Sequence, residues 1–153
     1  MSELGPFGLR GKPSLLENLI EESINNKNWL YVPNLQLYFL CKYFDKANGY
    51  LKGIIAVGVA DKNGIKHCYR RAVIHMGVIS GVREASEEEV KAYVEAGPVN
   101  RYVGKRLIVK TEDGRVEGKC VYADHAQLGI KTAEGELVIT PTQKINQYIF
   151  KAE

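Results

Sequence analysis

Apolar residues recur every three or four positions in two short segments, SLLENLIEESINN (14–26) and SEEEVKAYVEAGP (86–98). This spacing places them on one face of a helix, so each segment predicts a short amphipathic helix. The predicted apolar faces consist of Leu16, Leu19, Ile20 and Ile24 in the first segment and of Val90, Tyr93 and Val94 in the second.

Both segments begin with a capping box, in which a serine is followed three residues later by a glutamate. The pairs are Ser14 with Glu17 and Ser86 with Glu89, and such pairs satisfy the unbonded amides at a helix start. Gly97 and the proline after it supply a stop for the second helix.

Dense or alternating apolar positions follow each predicted helix and indicate strands. After the first helix, turns at Asn48-Gly49 and Asn63-Gly64 and a break near Met76-Gly77 divide the chain into a predicted β-meander of four or five strands. After the second helix, strands are predicted at roughly 105–111, 115–123, 127–132, 136–140 and 145–150, joined by tight turns such as Asp113-Gly114.

The predicted fold is mainly β with two short helices. Five short antiparallel strands with tight connections favour a small closed barrel, because closure removes sheet edges. Residues 1–13 are predicted as a flexible arm, 14–84 as a helix plus meander, and 85–153 as a helix plus five-stranded barrel.

The two halves share an order of elements, which suggests a tandem repeat in which 14–84 is a second, diverged barrel. Direct similarity is faint, and rests on YLKGIIAV against RVEGKCVY and on AVIHMGVISGV against LVITPTQKINQYI. The alternative is that any helix followed by strands gives this impression.

Composition changes this picture little. The 153 residues are 45% apolar and 25% charged with a net charge of +3, which is typical of a globular protein and permits an anionic partner without requiring one. Three separated cysteines do not form a disulfide framework, and neither a signal peptide nor a membrane span is predicted, so we expect a cytoplasmic protein without membrane association.

A cluster of cations at the start of the predicted barrel is the main candidate for ligand binding. Cations of this density neutralise phosphates, and a neighbouring aromatic ring offers a surface for base stacking. The alternative is a solvated strand edge, where lysine discourages edge pairing. Strand alternation places Arg106 and Lys110 on one face and Leu107 and Val109 on the other. The candidate residues are Arg101, Tyr102, Lys105, Arg106 and Lys110, with a second basic group at Lys66, Arg70 and Arg71.

Catalytic and metal chemistry find little support in the sequence. The cysteines and histidines have no zinc-ligand spacing, since adjacent His67 and Cys68 would point to opposite faces of a strand. Nucleophile-elbow, phosphate-loop and dinucleotide motifs are absent as well. We therefore expect a non-catalytic protein without a metal or cofactor.

The C-terminal half resembles the Sm-like (LSm) family of small RNA-binding barrels. The resemblance rests on the helix at 86–96, Gly104, Asp113-Gly114-Arg115, Gly118 and Asp124. Sm-like proteins follow that aspartate with a Met-Asn pair, where this chain has His125, Ala126 and Gln127, and they carry Arg-Gly where this chain has Thr140-Pro141. Weaker similarity extends to the C-terminal barrel of ribosome maturation factor P and to the archaeal ribonuclease P barrel protein.

The resemblance implies an SH3-like barrel that binds single-stranded RNA within a ribonucleoprotein or a ring-like homo-oligomer. It also implies that His125 and Gln127 face a base, while Arg101, Lys105, Arg106 and Lys110 hold phosphates. The rival interpretation is a protein–protein adaptor or assembly subunit whose barrels use strand edges and apolar surface without nucleic acid.

Overall fold

The computed structural model of the chain describes residues 15–61, 64–96 and 102–152. The predicted arm at 1–13, the cap residue Ser14, the Gly97-Pro98 helix stop and the candidate Arg101 lie outside the described residues.

Both predicted helices are present. Helix α1 covers Leu15–Asn26 and buries Ile20, and helix α2 covers Glu87–Ala96 and buries Val90 and Val94. Ser86 caps α2, because its Oγ accepts the backbone N–H of Glu89 at 3.1 Å. Neither helix in the described part of the chain is long and apolar enough to cross a membrane.

The described chain also contains ten strands, and the predicted mainly β class is confirmed. Five follow α1. They are β1 (Trp29–Val32), β2 (Leu37–Asp45), β3 (Tyr50–Asp61), β4 (Gly64–His75) and β5 (Arg83–Ala85). The first four are consecutive antiparallel neighbours, as in the predicted meander, and the fifth pairs back with the first. Five follow α2, namely β6 (Arg106–Thr111), β7 (Gly114–Ala123), β8 (Gln127–Lys131), β9 (Leu137–Pro141) and β10 (Gln147–Lys151).

All ten strands belong to one open, mixed sheet in the order β9-β8-β7-β6-β10-β4-β3-β2-β1-β5. The last five strands therefore share their sheet with the first five, and β9 and β5 are its two edges. This continuous order differs from the expected arrangement of a closed five-stranded barrel standing apart from the first half, so closure of either half stays a proposal.

The strand order repeats between the halves. Numbered within its own half, each set runs fourth, third, second, first, fifth across the sheet. A 3₁₀ turn precedes the fifth strand in both, at Met76–Val78 and at Thr142–Lys144. The two halves thus agree in topology as well as in element type.

The halves meet where β10 pairs in parallel with β4, and we call this pairing the seam. Tyr148 pairs there with Ala72 and Phe150 with Ile74, while β10 pairs on its other side with β6 in the antiparallel sense. The side chain of Arg70 also crosses the seam, since its Nε donates to the carbonyl of Ile145 at 3.0 Å.

The main core extends across both halves as one cluster of buried side chains. Phe39 and Ile55 of the first half and Leu107 and Phe150 of the second are completely buried within it. On the opposite face of the first half, α2 covers a second, smaller cluster that contains Trp29. The helix of the second half therefore packs on the sheet of the first, which ties the two halves together.

Candidate nucleic-acid interface

Strand β6 presents two of the predicted cations on its outer face. Leu107 and Val109 are completely buried on the inner face, whereas Arg106 and Lys110 are exposed, as alternation predicts. Ile108 lies between these two cations on the outer face but is only 4% exposed. This face therefore has an apolar floor beneath its charges.

The remaining members of the predicted cluster are placed differently. Tyr102 is 5% exposed, and its ring lies 5.7 Å from that of Tyr148 and 5.5 Å from that of Phe150, so it is part of the core and not a surface for base stacking. Lys105 is half-buried, and its carbonyl accepts the N–H of Cys120 at 2.9 Å. Of the cluster members that the structure describes, Arg106 and Lys110 are the ones that share the outer face of β6.

A shallow groove of about 580 Å³ lies over the seam on the outer face of the sheet, and we call it the seam groove. Its floor consists of Ile108, Ile149 and Val73, which pair across β6, β10 and β4. Polar and cationic side chains surround this floor. They are Asn48, Tyr50, Lys52, His75, Lys110, Gln147 and Lys151.

The cations of the groove come from both halves of the chain. Lys52 lies on β3, Lys110 on β6 and Lys151 on β10. Glu117 offsets part of this charge, because it pairs with Arg106 at 3.0 Å and with Lys151 at 3.5 Å. Lys52 and Lys110 form no ion pair within 4 Å with any residue that the structure describes. The Asp45 carboxylate offsets part of the Lys52 charge at longer range.

Tyr50 and His75 form one end of the groove as a cross-strand pair, with ring centroids 6.0 Å apart. Lys52 Nζ lies 5.4 Å from the centroid of the Tyr50 ring. Asp45 fixes this end in two ways. It accepts the backbone N–H of Asn48 at 3.0 Å and the amide Nδ2 of Asn48 at 2.9 Å, and it hydrogen-bonds to the Tyr50 hydroxyl.

These contacts set the ionisation of the groove end. Hydrogen bonds from Asn48 lower the pKa of Asp45 below its usual value. The bond to the Asp45 carboxylate, with some burial, raises the pKa of Tyr50. At neutral pH the site therefore contains a neutral phenol held by an ionised carboxylate.

The β3–β4 hairpin covers the His125 side of the loop that was expected to face a base, while Ala126 and Gln127 stay exposed. The His125 carbonyl accepts the N–H of Ala60, from the tip of the β3–β4 hairpin, at 2.9 Å, and it also accepts the hydroxyl of Thr142. His125 Nε2 is buried without a hydrogen-bond partner in the described structure. Gln127 is exposed, and its backbone N–H is bound by Asp124 at 2.8 Å.

The second predicted basic group is divided by the alternation of β4. Arg71 is exposed and pairs with Gln147 beside the seam groove, whereas Arg70 is half-buried and holds the Ile145 carbonyl. The side chain of Lys66 lies outside the described structure. Of the two arginines in this group, Arg71 adds to the charge of the outer face and Arg70 does not.

A repeated motif, Cys-x-Tyr-x-Asp, occurs at the end of the second strand of each half, at 41–45 and at 120–124. Both copies contain a register shift between the cysteine and the tyrosine. The thiol of each cysteine also donates to the tyrosine carbonyl, at 3.5 Å for Cys41 and 3.3 Å for Cys120. Each aspartate then binds the backbone of the following turn.

Matching hydrogen bonds extend this equivalence to the 3₁₀ turns. Met76 N–H donates to the Gly49 carbonyl at 2.8 Å in the first half, and Thr142 N–H donates to the Ala126 carbonyl at 3.0 Å in the second. The turn that carries Asn48 and Tyr50 is therefore the counterpart of the turn that carries His125 and Gln127. The first is open at the seam groove, and the second is contacted at His125 by the β3–β4 hairpin.

Sequence reasoning missed six polar or charged residues of the groove, because they are scattered over 104 positions of sequence and meet only through the seam. They are Asn48, Tyr50, Lys52, His75, Gln147 and Lys151. A signal for the equivalent turns was present, since both copies of Cys-x-Tyr-x-Asp are visible in the sequence. The sequence comparison of YLKGIIAV with RVEGKCVY did not find this equivalence, because it aligned the third strand of the first half with the second strand of the second half.

The described side chains of the groove determine which contacts it can offer to a ligand. Burial raises the pKa of the Cys41 and Cys120 thiols to about 11, which keeps both protonated at neutral pH. No cluster of three or more histidine, cysteine or acidic side chains is placed to hold a metal within the described residues. A groove with cations, amides and an aromatic ring around an apolar floor offers ionic, stacking and hydrogen-bonding contacts to an anionic chain.

Comparison with known proteins gives no relative for this chain: no family model matches it, and neither a curated protein nor a solved structure is significantly similar.

Proposed function

We propose that this protein is a non-catalytic RNA-binding protein of the Sm-like type that acts in a ribonucleoprotein or a ring-like assembly. The observation that carries the proposal is the seam groove, where Lys52, Lys110 and Lys151 surround an apolar floor beside Tyr50. Lysines supply contacts to phosphate, and an aromatic ring beside them supplies stacking to bases.

The finer fold proposal is that each half is an Sm-like, SH3-like small barrel and that the chain is a tandem pair. The repeated strand order, the 3₁₀ turn before each fifth strand and the two copies of Cys-x-Tyr-x-Asp support it. Gly118 adds further support, since a Cβ there would lie 2.1 Å from the Lys131 carbonyl oxygen, so this position of the bent second strand requires glycine.

The two edges of the sheet supply a route to assembly. Within the chain, the fifth strand of the second half pairs with the fourth strand of the first. The strands left at the edges are the fourth of the second half, β9, and the fifth of the first half, β5. Pairing β9 of one copy with β5 of the next would again join a fourth strand to a fifth strand, as β4 and β10 are joined at the seam. Repeated around a closed set of copies, this pairing would extend the sheet into a ring.

The rival function is a protein–protein adaptor, and one surface favours it. Leu137 and Ile139 on the edge strand β9 are 56% and 48% exposed, and Tyr122 on β7 is 43% exposed. These three side chains surround Gly129, which has no side chain of its own to cover. An exposed apolar patch beside an unpaired sheet edge is typical of an interface with another protein.

Salt dependence of binding tests the proposal against its rival. Fluorescence anisotropy of a labelled 12-nucleotide oligouridylate, titrated with protein at several salt concentrations, gives the slope of log K against log salt. For single strands this slope is about −0.7 per phosphate neutralised. Lys52→Glu/Lys110→Glu should weaken binding and make the slope shallower by roughly 1.4 if each lysine holds one phosphate.

Lys91→Glu/Lys144→Glu is the matched control. Lys91 on α2 and Lys144 in the second 3₁₀ turn are exposed and do not line the groove, so the control makes the same change in net charge. Native mass spectrometry on the same samples reports the number of chains. Absence of oligouridylate binding at low salt, or equal losses in the two double variants, would overturn the proposal. A salt-insensitive oligomer that binds no RNA would favour the adaptor.

A further inference from the structure

We propose that a pocket between helix α2 and the sheet of the first half binds the side chain of an arginine on a partner protein. We call it the helix pocket. It has a volume of about 330 Å³, and the sheet lines it with Trp29 of β1 and with Cys68 and Tyr69 of β4. The described linings of the helix pocket and the seam groove share no residue. The inference therefore goes beyond RNA binding and does not depend on it.

Two aromatic rings form part of this lining. The rings of Trp29 and Tyr69 lie 5.7 Å apart, although β1 and β4 are separated in the sheet by β2 and β3. Trp29 is 8% exposed and Tyr69 is 60% exposed. An exposed tyrosine ring next to a buried tryptophan offers a face on which a cation can stack.

Helix α2 supplies the charge of the pocket. Glu87 and Glu88 lie in its first turn, and neither forms an ion pair within 4 Å with a residue that the structure describes. Lys91 also lines the pocket, and its charge offsets one of the two carboxylates at longer range. The helix dipole stabilises acidic residues in a first turn, but it does not require aromatic rings beside them. The net negative charge favours a cationic occupant.

The same strand and helix already hold one arginine in this way. Tyr31 follows Trp29 by two residues on β1 and belongs to the same cluster under α2. The guanidinium carbon of Arg83 lies 4.9 Å from the centroid of the Tyr31 ring, and two of its nitrogens bind the Glu89 carboxylate. At the helix pocket, rings and carboxylates from these two elements are present again, but no described cation lies over the ring of Trp29.

Arginine suits this set of groups better than lysine does. A planar guanidinium can stack on a ring and donate to a carboxylate at the same time, whereas an ammonium is a compact and strongly hydrated charge. The indole N–H of Trp29 donates to no residue in the described part of the chain, which leaves it for a backbone carbonyl of the bound peptide. The volume is near the lower end of the range for ligand pockets, as expected for one long side chain.

Trp29 is the single tryptophan of the chain and lines the helix pocket, so its fluorescence reports on occupancy. The probes are short glycine-serine peptides with arginine, lysine or citrulline at the centre, and citrulline keeps the planar shape of arginine without its charge. Titration to about 10 mM would nearly saturate a site with a Kd of about 1 mM. We expect the arginine peptide to bind roughly 2- to 30-fold more tightly than the citrulline peptide, which is the range that a cation–π contact contributes.

Three variants identify the groups responsible. Tyr69→Leu removes the exposed ring and should weaken binding of the arginine peptide by roughly the same factor of 2 to 30. Tyr43→Leu is the matched control, because Tyr43 is 54% exposed and does not line the pocket. Lys91→Gln removes a cation from the lining, so it should tighten binding of the arginine peptide and leave the citrulline peptide unchanged. An anionic occupant would respond to Lys91→Gln in the opposite sense.

Alkylation of Cys68 gives a second measurement that does not use fluorescence. Cys68 lines the pocket and is half-buried, whereas burial raises the pKa of the Cys41 and Cys120 thiols to about 11 and slows their reaction. The arginine peptide should slow the labelling of Cys68 by iodoacetamide, followed by mass mapping of peptides, and the citrulline peptide should slow it less.

Several outcomes would overturn the inference. They are equal affinity for the arginine and citrulline peptides, unchanged Trp29 emission and Cys68 labelling, or the same loss of affinity in Tyr69→Leu and Tyr43→Leu. Competition of oligouridylate with the arginine peptide would also overturn it and assign the pocket to nucleic acid. Circular dichroism checks that each variant is folded, and the comparison of arginine with citrulline needs only the unaltered protein. Each of the first three failures would leave the lysine test of RNA binding in the seam groove unaffected.

Discussion

Glu89 has a different role from the one that its spacing predicts. In a capping box its carboxylate would turn back to the start of its own helix, yet only the serine half of the box forms. The carboxylate instead accepts both guanidinium nitrogens of Arg83, at 3.1 and 2.5 Å, and the hydroxyl of Tyr38 at 2.9 Å. Local spacing cannot anticipate this, because both partners come from other elements.

This network predicts a specific pH dependence of stability. The bonds from Arg83 and Tyr38 lower the pKa of Glu89 from 4.5 to about 2. Because the folded pKa is the lower one, the stabilisation is fully present above about pH 5 and is lost as the pH falls toward 2. Glu89→Gln should therefore lower the thermal midpoint at pH 7. The midpoints of the variant and of the unaltered protein should converge near pH 2.

Thermal unfolding followed by circular dichroism at pH 7, 5, 4, 3 and 2 checks this. Glu88→Gln is the control, since Glu88 is an exposed neighbour on the same helix. A constant difference in midpoint between Glu89→Gln and the unaltered protein across the series would contradict the prediction.

At the scale of elements, local patterns place most of the helices and hairpins. The predicted strands at 105–111 and 115–123 are observed at Arg106–Thr111 and Gly114–Ala123. Their Asp113-Gly114 turn works as expected, since Gly114 has φ of 135°, a conformation that favours glycine. Short strands are harder to predict. β5 has only three residues, Arg83–Ala85, and its single partner β1 is far away in sequence.

The cap of α2 supports a prediction at this scale. Ser86→Ala removes the acceptor of the Glu89 N–H and should lower the free energy of unfolding by about 1 kcal/mol. Urea denaturation followed by circular dichroism measures it. Ser86→Asp, which keeps an acceptor at the cap, should stay close to the unaltered protein. An equal loss in both variants would mean that the cap bond is not the cause.

At the scale of the whole molecule, the seam is the feature that the sequence does not reveal. Alternation fixes which face of a strand is buried, but it does not select a partner strand from another part of the chain. The pairing of β10 with β4 joins residues more than seventy positions apart and is parallel, whereas the sequence favoured two sets of antiparallel neighbours. The seam groove depends on this pairing, so its members could not be grouped beforehand.

The shared sheet and core predict that the two halves unfold together. Ile145→Val, in the completely buried core of the second half, should cost roughly 0.5–1.5 kcal/mol. Trp29, the single tryptophan, lies in the first half and reports on it by fluorescence. We expect the variant to shift the urea midpoint equally by fluorescence and by circular dichroism, because one cooperative unit gives coincident transitions.

Lys144→Ala, at the exposed residue next to Ile145, is the control and should leave both midpoints within about 0.5 kcal/mol of the unaltered protein. A fluorescence transition that stays in place while the circular dichroism transition moves would show that the halves are independent.

The position of β10 in the middle of the sheet also has a consequence for synthesis. Among the described strands β10 is translated last, although it lies between β6 and β4. While the ribosome adds residues 76 to 151, which takes roughly 4 to 15 s at about 5–20 residues per second, one side of β4 has no neighbour. The nascent first half therefore exposes one edge of a twelve-residue strand, and the arrival of the last strand protects residues 71–74 of that edge from pairing with other chains.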